Sequence, residues 1–103
     1  MKIEVLHIDD CPNWEAAGVR VKEALAELGD VSTVVDFRLL STPDEAARTP
    51  FAGSPTISVD GEDLFPSEGR TSDLACRIYF TPDGLAGLPT VQQLIEAIEH
   101  HEH

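Results

Sequence analysis

The order of apolar patterns predicts an α/β protein: a four-stranded mixed sheet with helices on both faces, in the order β-α-β-α-β-β-α. Three observations carry this expectation. An apolar run from Ile3 to Ile8, a helix-periodic run from Trp14 to Leu28 and an alternating run from Val31 to Leu40 follow one another. Strand, helix and strand in that order imply a parallel crossover unit. Further on, Asp60-Gly61 stands between two short runs, Ile57 to Val59 and Glu62 to Phe65, and is a strong two-residue hairpin signal. Thr90-Val91-Gln92-Gln93 then opens a last amphipathic run with the spacing of a capping box.

The first run carries Ile3, Val5, Leu6 and Ile8, apolar on both faces, as a strand buried on both sides does. His7 within it reads as a core histidine ahead of a proton-transfer group. Trp14, Ala17, Val21, Leu25 and Leu28 form one helical stripe, and Gly29 is placed to end that helix in a left-handed cap. Val31, Thr33, Val35, Phe37 and Leu39 alternate with a second set of residues, the pattern of a strand. Thr42-Pro43-Asp44-Glu45 is a capping box with proline at the first helical position, and predicts a short helix that stops before Pro50.

Two antiparallel strands are expected around Asp60-Gly61, with Pro66 ending the second. Leu74 to Phe80 is predicted as helix, on the strength of Asp73 and Arg77 at i,i+4, against a β-rich composition. Pro82-Asp83-Gly84 is a turn. Val91, Leu94, Ile95 and Ile98 make the buried stripe of the last helix, with Leu88 and Leu94 as a hydrophobic staple. The closing Glu99-His100-His101-Glu102-His103 reads as a solvated tail, native or partial tag, rather than a metal site.

Length and charge bound the function. A chain of 103 residues defaults to one domain, and its 42 % apolar and 25 % charged residues are those of a globular protein. No apolar run approaches the ~18 residues of a membrane span. An acid at Glu4 inside the first apolar run argues against a signal peptide, so a cytoplasmic protein is expected. The formal net charge of −12 opposes contact with nucleic-acid phosphates or an anionic membrane surface. The two cysteines, Cys11 and Cys76, fit no zinc pattern. In a reducing compartment they are expected to be catalytic or free rather than a structural staple. No cofactor motif is present.

The stretch Ile8-Asp9-Asp10-Cys11-Pro12-Asn13-Trp14 places a thiol where a strand ends and a helix begins. A helix start favours negative charge and lowers the pKa of a thiol near it, making a nucleophile at neutral pH. Pro12 suits the first helical position. Asp9 and Asp10 oppose the effect, since carboxylates near a sulfur raise its pKa; Asp10 has an alternative role as a cap on the first turn. Trp14 reads as a core anchor on the helix stripe ahead of a substrate platform. Cys76 is balanced between a resolving thiol and a small buried hydrophobe.

With Cys11 at the first strand–helix junction and Ser54-Pro55-Thr56 just before the hairpin, the chain resembles the thioredoxin-like superfamily over nearly its whole length. The resemblance implies a cis Ser54–Pro55 bond beside Cys11. It also implies that Pro12, Asn13, Trp14, Ser54, Pro55 and Thr56 touch an extended substrate, through the carbonyl of Ser54 and the amide of Thr56. The family's redox members carry Cys-x-x-Cys, whereas Trp14 occupies the fourth position here. A local two-cysteine cycle is therefore ruled out, leaving an external thiol or the distant Cys76 to resolve a mixed disulfide.

A narrower likeness, to small bacterial thioredoxin-like proteins labelled alkylmercury-lyase-related, rests on Asp10-Cys11-Pro12-Asn13-Trp14, Gly53-Ser54-Pro55-Thr56 and Leu74-Ala75-Cys76-Arg77. Three expectations follow. The first is thiol–disulfide exchange through Cys11, with a protein or small-molecule thiol or disulfide as partner. The second is a non-catalytic binding module of the same fold. The third is a thiophilic metal or organomercurial protein using Cys11 and Cys76 as soft ligands.

Overall fold

The computed structural model describes residues 2–9, 13–30, 32–49, 51–65 and 77–102. The expected places of Asp10, Cys11, Pro12 and Cys76, and the expected helix over residues 74–76, lie outside these described residues.

Its elements run β1 Ile3–His7, α1 Trp14–Glu27, β2 Val35–Leu39, α2 Pro43–Ala47, β3 Thr56–Val59, β4 Glu62–Asp63, β5 Tyr79–Thr81, β6 Gly84–Ala86 and α3 Val91–Glu102. Four strands form one mixed sheet in the order β2-β1-β3-β4. β1 pairs parallel with β2, from Ile3 against Val35 to His7 against Leu39, and antiparallel with β3, from Ile3 against Val59 to Leu6 against Thr56. β3 turns into β4 through Asp60-Gly61, both at positive φ (53° and 85°), as a tight hairpin of this twist requires.

Alternation along β1 explains the two layers. Ile3 and Val5 point to one face, where they join Ala17, Val21 and Leu25 of α1, Leu94 and Ile98 of α3, and Ile57 and Val59. Leu6 and Ile8 point to the other, where they meet Leu40, Ala46 of α2 and Phe51. Both clusters are closed to water, so the central strand is buried on its two sides, as its composition predicts.

The caps form as expected. The Thr42 hydroxyl accepts from the amide of Glu45. At α3 the box is reciprocal: the Gln93 amide donates to Thr90 Oγ1 at 3.1 Å, and the Thr90 amide donates to Gln93 Oε1 at 2.9 Å. Gly29 leaves α1 at φ 78°, and the Asp30 amide bonds back to the carbonyl of Leu25.

Two expectations are corrected. The second strand begins at Val35 rather than Val31, because the Asp30 carboxylate accepts from the amides of Ser32 and Thr33 and from the Thr33 hydroxyl. That local turn removes residues 32–33 from the ladder. The same three bonds hold the Asp30 carboxyl down at about 2. The segment predicted as helix to Phe80 is extended where it is described: Tyr79–Thr81 pairs with Gly84–Ala86 around Pro82-Asp83, a two-stranded sheet absent from the expected order. Arg77 pairs with Asp63, which is 14 positions away, and its expected i,i+4 partner Asp73 lies outside the described residues.

Candidate active site

The candidate site lies where β1 ends, α1 begins and the loop before β3 crosses beneath them. Ser54 is its joint. This residue is fully buried. Its hydroxyl accepts from the Ile8 amide at 3.1 Å, and its carbonyl accepts from the Arg77 amide at 2.8 Å. Ser54 is thereby bonded to the residue three places before Cys11 and to the residue directly after Cys76. The Ser54–Pro55 peptide bond is cis, as the resemblance implies. Thr56 is fully buried and locks the loop, its hydroxyl donating to the Gly53 carbonyl and accepting from the Ala52 amide.

The segment from Arg77 to Tyr79 lies along this loop. The Tyr79 hydroxyl donates to the Pro55 carbonyl at 2.5 Å, and its ring packs edge-on to Phe65. Burial raises the Tyr79 pKa, so the phenol stays protonated and remains a donor. Arg77 is buried, with its guanidinium 4.6 Å from the centre of the Tyr79 ring. One guanidinium nitrogen reaches both Asp63 carboxylate oxygens, at 3.1 and 3.0 Å, and another donates to the Phe65 carbonyl. Gly53, at φ 106°, lets the two stretches touch: a Cβ there would stand 2.9 Å from Arg77 Cα.

This arrangement gives both backbone groups expected to meet a substrate a partner within the chain. The Ser54 carbonyl is engaged by Arg77 of the same chain. The Thr56 amide belongs to the sheet, because the bond from the Asp60 amide to the Lys2 carbonyl sets the alternation that makes Leu6 and Thr56 a hydrogen-bonded pair.

Trp14, the first residue of α1, stacks on His7, with ring centroids 4.4 Å apart and planes 13° apart, and meets Phe37 edge-on at 5.4 Å. It thus packs as the helix stripe implies. Asn13 caps α1 without a side-chain bond, and its amide lies against Gly87, where a Cβ would come within 2.3 Å of Nδ2. The structure therefore groups Ser54, Pro55 and Thr56 with Arg77 and Tyr79, and groups Trp14 with His7. Ile8 links the two groups. Arg77 and Tyr79 escape sequence reasoning because nothing local pairs residue 77 with residue 54. Gly53 is the one hint, since glycine beside a strand marks a close backbone approach.

His7 is buried, and its Nδ1 meets no hydrogen-bond partner of standard geometry among the described residues. Burial lowers its pKa below 6.5, against the smaller opposing effects of a backbone bond at Ile8 and the charge of Asp9. The stabilising effect of the neutral ring is complete above pH ~6.5. It is lost as pH falls through that value toward the folded pKa, because the unfolded chain takes up the proton first. Between pH 7.5 and 5, the urea midpoint of the wild type is expected to fall more steeply than that of His7→Phe; parallel slopes would refute the assignment.

Among the described residues, no group of three or more His, Cys, Asp or Glu side chains is placed to hold a metal ion. No described helix is long and apolar enough to cross a membrane. Comparison with protein-family models, with curated proteins and with solved structures finds no match.

Proposed function

We propose that the protein carries out thiol–disulfide exchange, with Cys11 as nucleophile and Cys76 as a distant resolving thiol. The observation that supports this reading best is the double bonding of Ser54, to Ile8 and to Arg77. The two chain stretches that carry the cysteines are tied to one buried residue. The Arg77 segment takes the carbonyl that the thioredoxin-like resemblance assigns to an extended substrate. An internal occupant suits an enzyme whose second sulfur comes from that same segment.

The electrons balance as follows. The Cys11 thiolate attacks one sulfur of a substrate disulfide, forming a mixed disulfide and expelling the other sulfur as a thiolate. The Cys76 thiolate then attacks Cys11 Sγ, expelling the substrate's first sulfur and leaving a Cys11–Cys76 disulfide. A dithiol reductant from outside returns both to thiols and is itself oxidised.

Oxidised wild type, alkylated and weighed, is expected to take up no alkyl group, and two after reduction. Cys11→Ser should exchange with a model aromatic disulfide no faster than free cysteine. Cys76→Ser should stop at the mixed disulfide. Two alkylatable thiols after oxidation, with no exchange above free cysteine, would overturn the proposal. That outcome favours a binding module instead, a reading supported by Trp14, held between His7 and Phe37 at the position where redox members of the thioredoxin-like superfamily carry a second thiol. A tight mercuric-ion site lost in either cysteine variant, without exchange, favours the soft-metal alternative.

A further inference from the structure

β2 is an edge strand, and its outward side is self-complementary. The Leu40 amide donates to the His7 carbonyl, so the even-numbered residues of β2 face β1. In a strand, alternate residues turn their backbone groups to opposite edges. The amides and carbonyls of Val35, Phe37 and Leu39 therefore point away from the sheet, and no described strand pairs with them. On the α1 side of this edge, Phe37 and Leu39 are 41 % and 42 % exposed, and Val34 just before them is 69 % exposed. Phe37 lies across Gly18, the one residue type that admits its ring so close to the helix. An exposed apolar edge of this kind is a template for another strand.

We infer that this edge pairs with the same edge of a second copy of the chain, antiparallel and centred on Phe37. The sequence Val35-Asp36-Phe37-Arg38-Leu39 reads compatibly in both directions under that two-fold. Phe37 meets Phe37 of the second copy, and Val35 meets Leu39, as hydrogen-bonded pairs. Asp36 meets Arg38 twice, once on each side of the axis. These fall at the non-hydrogen-bonded positions, where opposed side chains are closest and opposite charges stabilise. A shift of two residues in either direction would lose the Phe37 pair and both ion pairs, and would set Asp36 opposite Asp36 or Arg38 opposite Arg38. A groove of about 350 Å³ lined by Lys22, Leu25, Val34 and Val35 adjoins the pairing, so Leu39 of the second copy comes to its rim opposite Val35. The result is one continuous eight-stranded sheet.

Each chain carries a formal charge of −12, so the copies repel at long range. Salt screens that repulsion beyond ~8 Å at physiological strength but acts less on pairs in contact, so dimerisation is expected to strengthen on raising salt from low values.

Asp36 and Arg38 are exposed and make no ion pair within the described residues, which allows a charge-swap test without disturbing the fold. Sedimentation equilibrium up to about 1 mM protein covers affinities down to the weak limit of specific association. Wild type is expected to dimerise. Arg38→Asp sets like charges opposite each other at two places and should weaken the dimer about tenfold or more. Asp36→Arg combined with Arg38→Asp restores complementarity and should restore the dimer. A wild type that stays monomeric throughout overturns the inference, even if a foreign strand binds the edge. So does a dimer that the double exchange fails to recover while thermal melts match the wild type. Neither outcome bears on the thiol chemistry, which this pairing does not use.

Discussion

Arg77→Met is expected to lower folding stability by about 3–5 kcal/mol, the range for breaking a buried ion pair by removing one partner. The arginine and Asp63 side chains are 7 % and 13 % exposed, so neither charge is well solvated. Methionine keeps much of the volume but leaves the Asp63 carboxylate without its cation and the Phe65 carbonyl without its donor. The pair also explains how a two-residue β4 persists: the Asp63 carboxylate accepts from the Phe65 amide while holding the guanidinium, pinning the strand end. The urea midpoint, multiplied by the slope of the transition, measures the loss. Replacing Asp63 by Asn in the same background should recover part of it, because the orphaned charge is removed. A loss below about 1 kcal/mol would mean the pair behaves as an exposed one.

Gly53→Ala is expected to cost a comparable amount, about 3 kcal/mol, through a different cause. At φ 106° a side chain is strained by ~1–3 kcal/mol before any contact is counted. The new methyl would stand 2.8 Å from Arg77 Cβ and 2.9 Å from its Cα, and a backbone neighbour cannot rotate aside. Relief requires the Arg77 segment to lift from the loop, breaking the bond from its amide to the Ser54 carbonyl. The variant should therefore lose stability and, on the proposed chemistry, form the Cys11–Cys76 disulfide more slowly than Arg77→Met at matched stability. Gly61→Ala, also at positive φ but with open space around it, isolates the conformational part. If both alanine variants lose the same stability, the close approach at Gly53 contributes nothing.

Much of the fold is legible because its signals are local. The stripe from Ala17 to Leu25, the reciprocal box of Thr90 and Gln93 and the Asp60-Gly61 turn each depend on residues within a few positions of one another. What escapes depends on distant partners. Alternation identifies β2 as a strand but cannot say that nothing lies beyond it, so Phe37 and Leu39 look like core residues and emerge half-exposed. The Asp30 side chain competes with the ladder for the amides of Ser32 and Thr33, and composition does not reveal which bond prevails. Arg77 shows the same limit: its partner Asp63 stands 14 positions away, beyond the reach of any local pattern. At the site, Ser54-Pro55-Thr56 is readable as a loop close to the strand–helix corner. The segment that settles on it is not, because no local pattern links residues 54 and 77.

The joint at Ser54 also dates the site within the life of the molecule. Its bond to Ile8 spans 46 positions, and its bond to Arg77 spans about half that. Contacts between such separated stretches wait for loop closure and come late in folding. A nascent chain leaving the ribosome carries Cys11 long before residue 77 exists to complete the corner. On the proposed chemistry, maturation itself acts as the safeguard: the sulfur is present early, but its assigned partner arrives only with the finished structure.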